Sequence, residues 1–456
     1  MRGGKSLLIL LFVALGLGAY IYFVESKREP PGLDGPKKEK VFGADSTTFD
    51  ELEVKAASGD VTTLKKVNGL WEIVKPEPVQ ADSSEVGSVL STLDSLEIQR
   101  VVDEHPATPA EFGLAPARLT VAFKGAKDAA MKRLEIGKKT PTGGDLYARI
   151  EGQPRVFLIS AFLEDSLNKT TFGLRDKTAL KFERDGADAL TIDVTGSPAV
   201  AFTKKAGNWR FTKPWDAKAD TNGVDGLVGK LSSTRMTAIE TADGTKELTK
   251  YGLDKPQAVV TIGVGSTQAK LALGSKKADG GLYARDLSRP VVFTVDTTLL
   301  DDLKKKPDDL RKKDVFEFRS FSAQGFDIAL GGKNYTFAKQ KGPAPKDANA
   351  APAPDVWKLI KPDAKDVDQG KVNDFLTTMS NLRAESFADK ALTGGEEVVL
   401  TARFGDEKSP TTETVRFRKS DKAVHATLAG ETGALVVSTT DFDRAIAIIK
   451  ELTGGK

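Results

Sequence analysis

The chain has 456 residues, a formal net charge of +3 from 67 basic and 64 acidic side chains, no cysteine and two histidines. The length predicts about three domains, and the lack of cysteine excludes disulfides, thiolate metal sites and a cysteine nucleophile. The charge is balanced and forms no basic stripe with interleaved aromatic residues, which argues against a nucleic-acid partner. Two histidines also leave little scope for histidine-based metal binding or acid–base catalysis.

The N-terminal region predicts one membrane-spanning helix. Residues 7–24 are almost all apolar, and a run of this length can cross a bilayer as a helix. Arg2 and Lys5 precede the run, which favours a cytoplasmic tail at 1–6, a signal-anchor in contact with lipid at 7–24 and a flexible tether at 25–45. The rest of the chain is then expected on the periplasmic side of the bacterial cytoplasmic membrane. A cleaved signal peptide, the alternative, would need a shorter run that ends in a small-x-small site.

One pattern occurs three times and divides the rest of the chain. It consists of Trp, any residue, an apolar residue, any residue, Lys and Pro, followed at a fixed distance by Asp. The shared residues are Trp71, Lys75, Pro76 and Asp82 in the first copy, Trp209, Lys213, Pro214 and Asp220 in the second, and Trp357, Lys361, Pro362 and Asp368 in the third. This repetition predicts three tandem units, at 46–178, 179–315 and 316–456. The third unit carries an Ala/Pro-rich insertion at 342–354, which we expect to be disordered.

Each unit is predicted to begin with a meander of antiparallel strands, the third of which carries the Trp. The Pro ends that strand because it has no amide hydrogen to donate to a neighbouring strand. The Asp then caps a helix by accepting hydrogen bonds from first-turn amides. Apolar residues at 4, 7, 8 and 11 positions after the Asp give this helix one buried face in all three copies. With further antiparallel strands and a closing helix, the predicted fold class is α+β: one N-terminal transmembrane helix followed by three tandem repeats.

The recurring Trp allows two interpretations. An exposed Trp is typical of sites that stack on a carbohydrate or a peptide. Strand alternation, however, places it on the same side as the apolar residue two positions later, which favours packing between sheet and helix. We therefore interpret the motif as structural. Trp215, which directly follows the second copy, is the better candidate for an exposed aromatic side chain.

Two copies of Leu-Tyr-Ala-Arg offer a second candidate surface. They contain Tyr147 and Arg149, and Tyr283 and Arg285. Residues at alternate strand positions point to the same side, so each Tyr–Arg pair is a candidate for ligand or partner recognition; the alternative is a half-exposed strand face. Each copy follows a Gly-rich loop that contains paired lysines. A phosphate-binding loop requires Gly-Lys-Ser/Thr at the start of a helix, and we therefore expect these loops to be hairpin connections.

The sequence shows no metal-ligand spacing, no nucleophile motif and no recurring carboxylate other than the predicted helix caps. We therefore predict no catalytic residue, no metal, no cofactor and no enzymatic activity. A hydrolase that uses scattered carboxylates is the weakest of three functional hypotheses, because no catalytic motif supports it. It stays open at this point, since a sequence does not show which residues cluster in space.

The motifs together resemble a known family. The apolar N-terminal segment, the Trp-Lys-Pro and Asp pattern, Tyr-Gly-Leu-x-x-Pro, and Leu-Tyr-Ala-Arg followed by Leu-Arg-Asp-Lys are similar to the bacterial family catalogued as domain of unknown function 4340. The resemblance covers residues 7 to 315 well and 316–456 more weakly. It implies a place beside ABC-type transport components similar to those of gliding-motility systems, and it carries over no catalytic residue.

Two further functional hypotheses follow. The first is a membrane-anchored, extracytoplasmic, non-enzymatic repeat protein that serves as an accessory or scaffold for an ABC-type transporter or a cell-envelope complex, with a permease among its expected protein partners. The second is a module that binds envelope glycans or peptides through Trp215 and the Tyr–Arg pairs.

Overall fold

The structure is a computed structural model that describes residues 39–43, 48–125, 128, 130–342 and 354–454. The predicted signal-anchor at 7–24 lies outside the described residues, as do most of the tether and most of the Ala/Pro-rich insertion. Within the described ranges, no helix is long and apolar enough to cross a membrane. The chain divides into two compact units, one up to Asp176 and one from Lys177 onward.

The first unit contains one repeat. Its strands are β1 (Phe49–Lys55), β2 (Val61–Val67), β3 (Leu70–Lys75), β4 (Val79–Gln80), β5 (Arg100–Asp103), β6 (Leu119–Gly125), β7 (Lys132–Lys139), β8 (Asp145–Ile150) and β9 (Val156–Ser160). Its helices are α1 (Ser83–Ser95), α2 (Glu164–Leu167) and α3 (Thr171–Leu174), with 3-10 turns at Pro109–Phe112 and Ala161–Leu163.

The second unit contains the other two repeats. The strands of repeat 2 are β10 (Ala187–Val194), β11 (Val200–Lys205), β12 (Asn208–Lys213), β13 (Ala217–Lys218), β14 (Ala238–Thr241), β15 (Ala258–Val264), β16 (Thr267–Lys276), β17 (Gly281–Asp286) and β18 (Val292–Asp296). Its helices are α4 (Thr221–Ser233) and α5 (Thr298–Leu303), with 3-10 turns at Leu248–Tyr251 and Pro307–Leu310.

Repeat 3 follows the same order. Its strands are β19 (Ala323–Leu330), β20 (Lys333–Gln340), β21 (Val356–Lys361), β22 (Lys365–Asp366), β23 (Ala384–Ala388), β24 (Glu396–Phe404), β25 (Thr411–Lys419), β26 (Val424–Leu428) and β27 (Ala434–Val437). Its helices are α6 (Gln369–Ser380) and α7 (Thr439–Thr453), with a 3-10 turn at Ser320–Ser322.

Each repeat forms one nine-stranded antiparallel sheet, and the three sheets share one strand order. In repeat 1 the order is β4-β3-β2-β1-β6-β7-β8-β9-β5, and repeats 2 and 3 have the equivalent order. The first four strands form one half of the sheet and the later strands the other, joined by the pairing of β1 with β6 and of its equivalents. The long helix after the Asp covers one face: Val86, Val89, Leu90 and Leu93 of α1 are buried in the same apolar cluster as strand residues such as Leu52 and Val121.

These sheets correct the predicted fold class. The α+β prediction, one N-terminal transmembrane helix followed by α+β repeats, is wrong: the described residues are mostly antiparallel sheet and contain no helix able to span a membrane. The prediction of three repeats fits the three sheets. The predicted closing helices are short in repeats 1 and 2, at Glu164–Leu167 and Thr298–Leu303, and long only in repeat 3. The sheet dominates because strands before and after the main helix pair into one ladder that satisfies their backbone groups.

The Gly-rich loops are hairpin connections whose first glycine has a steric role. They join β7 to β8 and β16 to β17. A Cβ atom at Gly137 would lie 2.0 Å from the carbonyl oxygen of Phe112, and one at Gly274 would lie 2.1 Å from that of Tyr251. Only glycine at these positions lets the 3-10 turn that precedes Gly113 or Gly252 pack against the sheet. This steric requirement accounts for the two glycines without a bound anion.

Candidate functional site

The three motif tryptophans lie in the cores of their repeats. Trp71, Trp209 and Trp357 are 8%, 2% and 4% exposed, on β3, β12 and β21. The Nε1 of Trp209 donates to Oδ1 of Asp225 on α4 at 2.7 Å, so this ring joins strand and helix. Burial raises the pKa of Asp225, but the hydrogen bonds from Trp209 and Lys204 outweigh it and hold the pKa below its usual range.

The other motif residues form the corner between strand and helix. The motif lysines and prolines are exposed, and the peptide bond between them is cis in all three copies. Each Asp accepts hydrogen bonds from amides of the first helical turn. The side chain of Asp82 accepts from Ser84 and Glu85 at 3.0 and 3.2 Å, that of Asp220 from Asn222 at 3.2 Å, and that of Asp368 from Lys371 at 3.1 Å. The motif thus serves the fold, because it ends a strand and begins a helix.

The Tyr–Arg pairs are engaged inside their own repeats. The ring of Tyr147 packs on Phe112 at a centroid distance of 5.0 Å, and that of Tyr283 on Tyr251 at 5.1 Å. Arg149 forms an ion pair with Glu135 and donates to the carbonyl of Leu114 at 3.2 Å. The Nε of Arg285 donates to the carbonyl of Arg289 at 3.2 Å. Both pairs therefore hold the 3-10 turn or a strand end against the sheet. Their side chains already have partners within the repeat and are not free to bind a ligand.

Trp215 lies where repeats 2 and 3 meet and is half-buried. Its ring packs edge-on to Phe211 at 5.9 Å and faces the guanidinium of Arg311 at 5.0 Å. On its other side Arg311 lies 4.0 Å from the ring of Phe387 in repeat 3. Arg311 is 3% exposed, and this burial lowers the pKa of its guanidinium, although Asp308 partly offsets the effect. A buried cation between two aromatic rings thus joins the two repeats.

An open cleft of about 1010 Å³ lies beside this cation. It is bounded by β12, the start of α4, the segment 309–317 that connects the repeats, and Arg383. Its charged lining residues are Lys205, Arg210, Asp216, Lys218, Asp220, Asp309, Arg311, Lys312, Lys313, Asp314, Glu317 and Arg383. Arg210 pairs with Asp216, Lys218 and Lys312 with Glu317, and Arg383 with Asp314. Lys205, Lys313 and Asp309 are exposed and have no ion pair with another described residue.

Lys218, Lys312 and Glu317 line the floor of the cleft, and Glu413 of repeat 3 contacts two of them. The Nζ of Lys218 lies 3.1 Å from Oε1 of Glu317 and 3.4 Å from Oε1 of Glu413, and Lys312 contacts Glu317 at 2.5 Å. The backbone amide of Glu317 also donates to Glu413 at 2.8 Å. Burial alone would raise the pKa of Glu317 and lower that of Lys218; the ion pairs outweigh it, so the pKa of Glu317 is lowered and that of Lys218 is raised.

The β26–β27 loop of repeat 3 contacts Asp216 and Arg210, two residues that line the cleft. The amide of Thr432 donates to the carbonyl of Asp216 at 2.8 Å, and Arg210 donates to the carbonyl of Gly430. Between them Glu431 is drawn inward, and its Oε1 is buried without a hydrogen-bond partner among the described residues. Burial raises the pKa of Glu431, although the charges of Lys218, Arg210 and Arg311 act in the opposite direction.

The raised pKa of Glu431 predicts a pH-dependent effect of Glu431→Gln. A carboxyl group whose pKa is higher in the folded state contributes stability below its unfolded pKa, and that contribution is lost as the pH rises through the folded pKa. Each unit of the raised pKa corresponds to about 1.4 kcal/mol. We expect the variant to gain stability relative to the wild type between pH 4 and pH 7.5, measured by urea unfolding at both pH values.

The matched control is Glu385→Gln, at an exposed carboxylate of repeat 3. The pH dependence that belongs to Glu431 is the difference between the stability changes of the two variants at the two pH values. A stability difference for Glu431→Gln that is constant with pH, or that turns more unfavourable as the pH rises, would contradict the assigned pKa direction.

The cleft residues were missed by the sequence analysis. Arg311 and Lys312 belong to the Leu-Arg-Lys-Lys stretch that marks the end of repeat 2, and this boundary is the one signal that points to them. Glu317, Glu413 and Glu431 belong to no motif. All three lie in repeat 3, and they approach Lys218 of repeat 2 only because the two repeats pack together. Within the described part of the chain, no group of three or more His, Asp or Glu residues is placed to hold a metal ion.

Comparison with known families agrees with the repeat organisation. The family model described as Domain of unknown function (DUF4340) matches residues 71–208 and 209–401, more than half of the chain. The chain belongs to this family. Both matches of the DUF4340 model begin at a motif tryptophan, Trp71 or Trp209, and the third copy at Trp357 lies inside the second match. No curated protein matches the chain significantly.

Proposed function

We propose that this DUF4340 protein is a non-enzymatic, partner-binding repeat protein on the extracytoplasmic side of the bacterial cytoplasmic membrane. The observation that supports this proposal is that the residues shared by all three repeats serve the fold, whereas the charged floor of the cleft is lined by residues that differ between the repeats. The recurring Trp and Asp residues are used for packing and capping in each repeat. The position of Lys218 on the cleft floor is instead Gln80 in repeat 1 and Asp366 in repeat 3.

The chemistry of the cleft fits a protein partner. Its floor is a set of mutually paired charges, and its exposed edge carries the two cations Lys205 and Lys313 and one carboxylate, Asp309. Charges at the edge of an interface select partners and speed their encounter more than they add affinity. We propose an acidic surface of an ABC-type transport component or of an envelope complex as the partner, and the family resemblance motivates that choice.

A glycan- or peptide-binding module that uses Trp215, Tyr147 and Tyr283 is supported less well. Each of these rings packs against another side chain: Phe211 and Arg311 for Trp215, Phe112 for Tyr147, and Tyr251 for Tyr283. A stacking platform needs an open ring face, and none of these contacts points to one.

Copurification from native membranes tests the proposed function. We expect the tagged chain, after crosslinking, to recover a permease or another envelope protein, and we expect Lys205→Glu combined with Lys313→Glu to reduce that recovery about tenfold. The control variant reverses two exposed lysines away from the cleft, Lys333→Glu and Lys422→Glu, and should retain full recovery. If the wild type recovers no such protein, or if both variants lose it equally, the proposal fails.

A further inference from the structure

In repeats 1 and 2 the short edge strand of the sheet is closed by an extended segment from the end of the same repeat. The amide of Asp82 donates to the carbonyl of Leu174 at 2.8 Å, the amide of Asp176 donates to the carbonyl of Gln80 at 3.0 Å, and Ala81 forms an antiparallel bridge with Arg175. A Leu-Arg-Asp segment thus adds to the edge at β4.

Repeat 2 has the same arrangement at β13. The amide of Asp220 donates to the carbonyl of Leu310 at 2.7 Å, that of Lys312 donates to the carbonyl of Lys218 at 3.1 Å, and Ala219 bridges to Arg311. The added segment buries the strand that it covers, since Ala81 and Ala219 are each 3% exposed.

Repeat 3 has the edge strand but no segment on it among the described residues. After β27 the chain forms the long helix α7 in place of a short helix and an extended segment. Outside the strand ladders of the described residues, no backbone hydrogen bond reaches the carbonyl of Asp366 or starts from the amide of Asp368, the equivalents of the two bonds seen in the other repeats. Asp366 and Asp368 are both exposed.

On the side that faces β21, the backbone groups at the end of this edge strand already have hydrogen-bond partners. The side-chain amide of Gln369 donates to the carbonyls of Val367 and Trp357 at 2.8 and 2.9 Å, and its oxygen accepts from the amide of Trp357 at 2.7 Å. The strand end is therefore held in place. The carbonyl of Asp366 and the amide of Asp368 face outward, with the spacing that an antiparallel neighbour requires.

The charge beside the edge indicates what would add to it. In repeat 1 the arginine of the added segment, Arg175, pairs with Glu77, the residue that follows the motif proline. The equivalent residue in repeat 3 is Asp363, which is exposed. Repeat 2 has Trp215 there and stacks Arg311 on it. All three positions thus suit an arginine, and in repeat 3 the receiving group is a carboxylate, as in repeat 1.

We propose that the edge strand β22 of repeat 3 is the docking site for an extended, arginine-containing segment of a partner protein. The segment adds antiparallel to Asp366–Asp368 through two backbone hydrogen bonds, and its arginine pairs with Asp363, in the manner of β-strand addition. This inference rests on the proposed partner-binding role and names a surface and a ligand chemistry for it. The C-terminal turn of α7 lies beside the start of α6, where Lys371 pairs with Glu451 at 2.7 Å. Because Lys371 is already paired, the partner segment is recognised through its backbone and its arginine.

A peptide with the sequence of residues 170–178, Thr-Thr-Phe-Gly-Leu-Arg-Asp-Lys-Thr, is the probe. Its fluorescently labelled form is titrated with the purified full-length chain, and anisotropy reports binding. We expect saturable binding that weakens about tenfold when the peptide arginine is replaced by alanine, and also when the amide of its aspartate is N-methylated. Hydrogen exchange should slow at residues 365–369 when the peptide is added.

Asp363→Lys in the chain should weaken binding of the peptide by at least about tenfold, since it replaces the attracting carboxylate with a repelling cation. The matched control is Asp421→Lys, the same charge change at an exposed turn of repeat 3, which should bind as the wild type does. Circular dichroism and the melting temperature confirm that both variants are folded.

Absence of saturable binding overturns the proposal, as does equal affinity of Asp363→Lys and Asp421→Lys. A concentration-dependent dimer that the peptide dissociates would assign the edge to a second copy of the chain and would also overturn it. Because the peptide assay uses purified components, its failure leaves the membrane copurification result unaffected, and the two proposals can fail separately.

Discussion

Replacement of Trp209 by alanine should lower the free energy of unfolding of the second unit by about 3–5 kcal/mol, the range for a buried Trp or Phe cut back to Ala. Trp209 is 2% exposed, and its ring lies between β12 and α4. The substitution leaves a cavity and removes the hydrogen bond from Nε1 to Asp225. It also removes the ring that lies 5.4 Å from the Nζ of Lys204. Urea unfolding followed by circular dichroism measures the loss without dependence on tryptophan fluorescence.

Two variants separate the parts of this effect. Trp209→Phe keeps most of the volume and loses the indole N–H, and it should cost about 1–2 kcal/mol, as expected when a carboxylate loses one hydrogen-bond donor. Trp215→Ala removes a half-buried ring and should cost less than Trp209→Ala. If Trp209→Ala and Trp215→Ala destabilise the unit equally, the assignment of the motif tryptophan to the core is wrong.

Replacement of Arg311 by alanine should destabilise the second unit by about 2–4 kcal/mol and should loosen repeat 3 from repeat 2. The guanidinium lies between the rings of Trp215 and Phe387 and donates to the carbonyl of Thr432 at 3.5 Å. A desolvated cation–π contact contributes about 2 kcal/mol, and the aliphatic stem adds packing. We expect a fragment that begins at Lys177 to unfold in one thermal transition in the wild type, because residues 177–456 form one compact unit. In the variant this transition should broaden or split in two, as measured by calorimetry.

Arg311→Met and Arg383→Ala are the controls for this prediction. Methionine keeps the volume and the apolar contact with both rings, and since the nearest carboxylate oxygen, on Asp308, is 3.8 Å away, we expect a smaller loss of about 1–2 kcal/mol. Arg383 is exposed and pairs with Asp314 at 3.1 Å, and its loss should cost less than about 1 kcal/mol. Equal effects of Arg311→Ala and Arg383→Ala would show that the buried cation does not couple the repeats.

The parts of the fold that depend on local physics can be predicted from the chain. Alternation of apolar residues indicates the strand that carries each motif Trp, the Pro that follows cannot continue it, and Asp82, Asp220 and Asp368 begin the helices whose buried residues recur with helical spacing. These features act within a few residues of one another, and their triple occurrence made the pattern visible. The membrane anchor and the transporter partner stay predictions.

What only the tertiary structure decided is which distant residues meet. Strand β1 pairs with β6, and β5 pairs with β9 at the far edge, so the strands before and after the main helix form one nine-stranded antiparallel sheet in each repeat. No local pattern encodes such pairings, because several strands of similar length and polarity offer equivalent backbone partners. The same limit applies to Arg311, whose partners Trp215 and Phe387 come from different repeats. The repeats themselves were determined by sequence alone. The cleft depends on how repeats 2 and 3 pack together, and the edge strand of repeat 3 is left uncovered by the described residues because helix α7 follows β27.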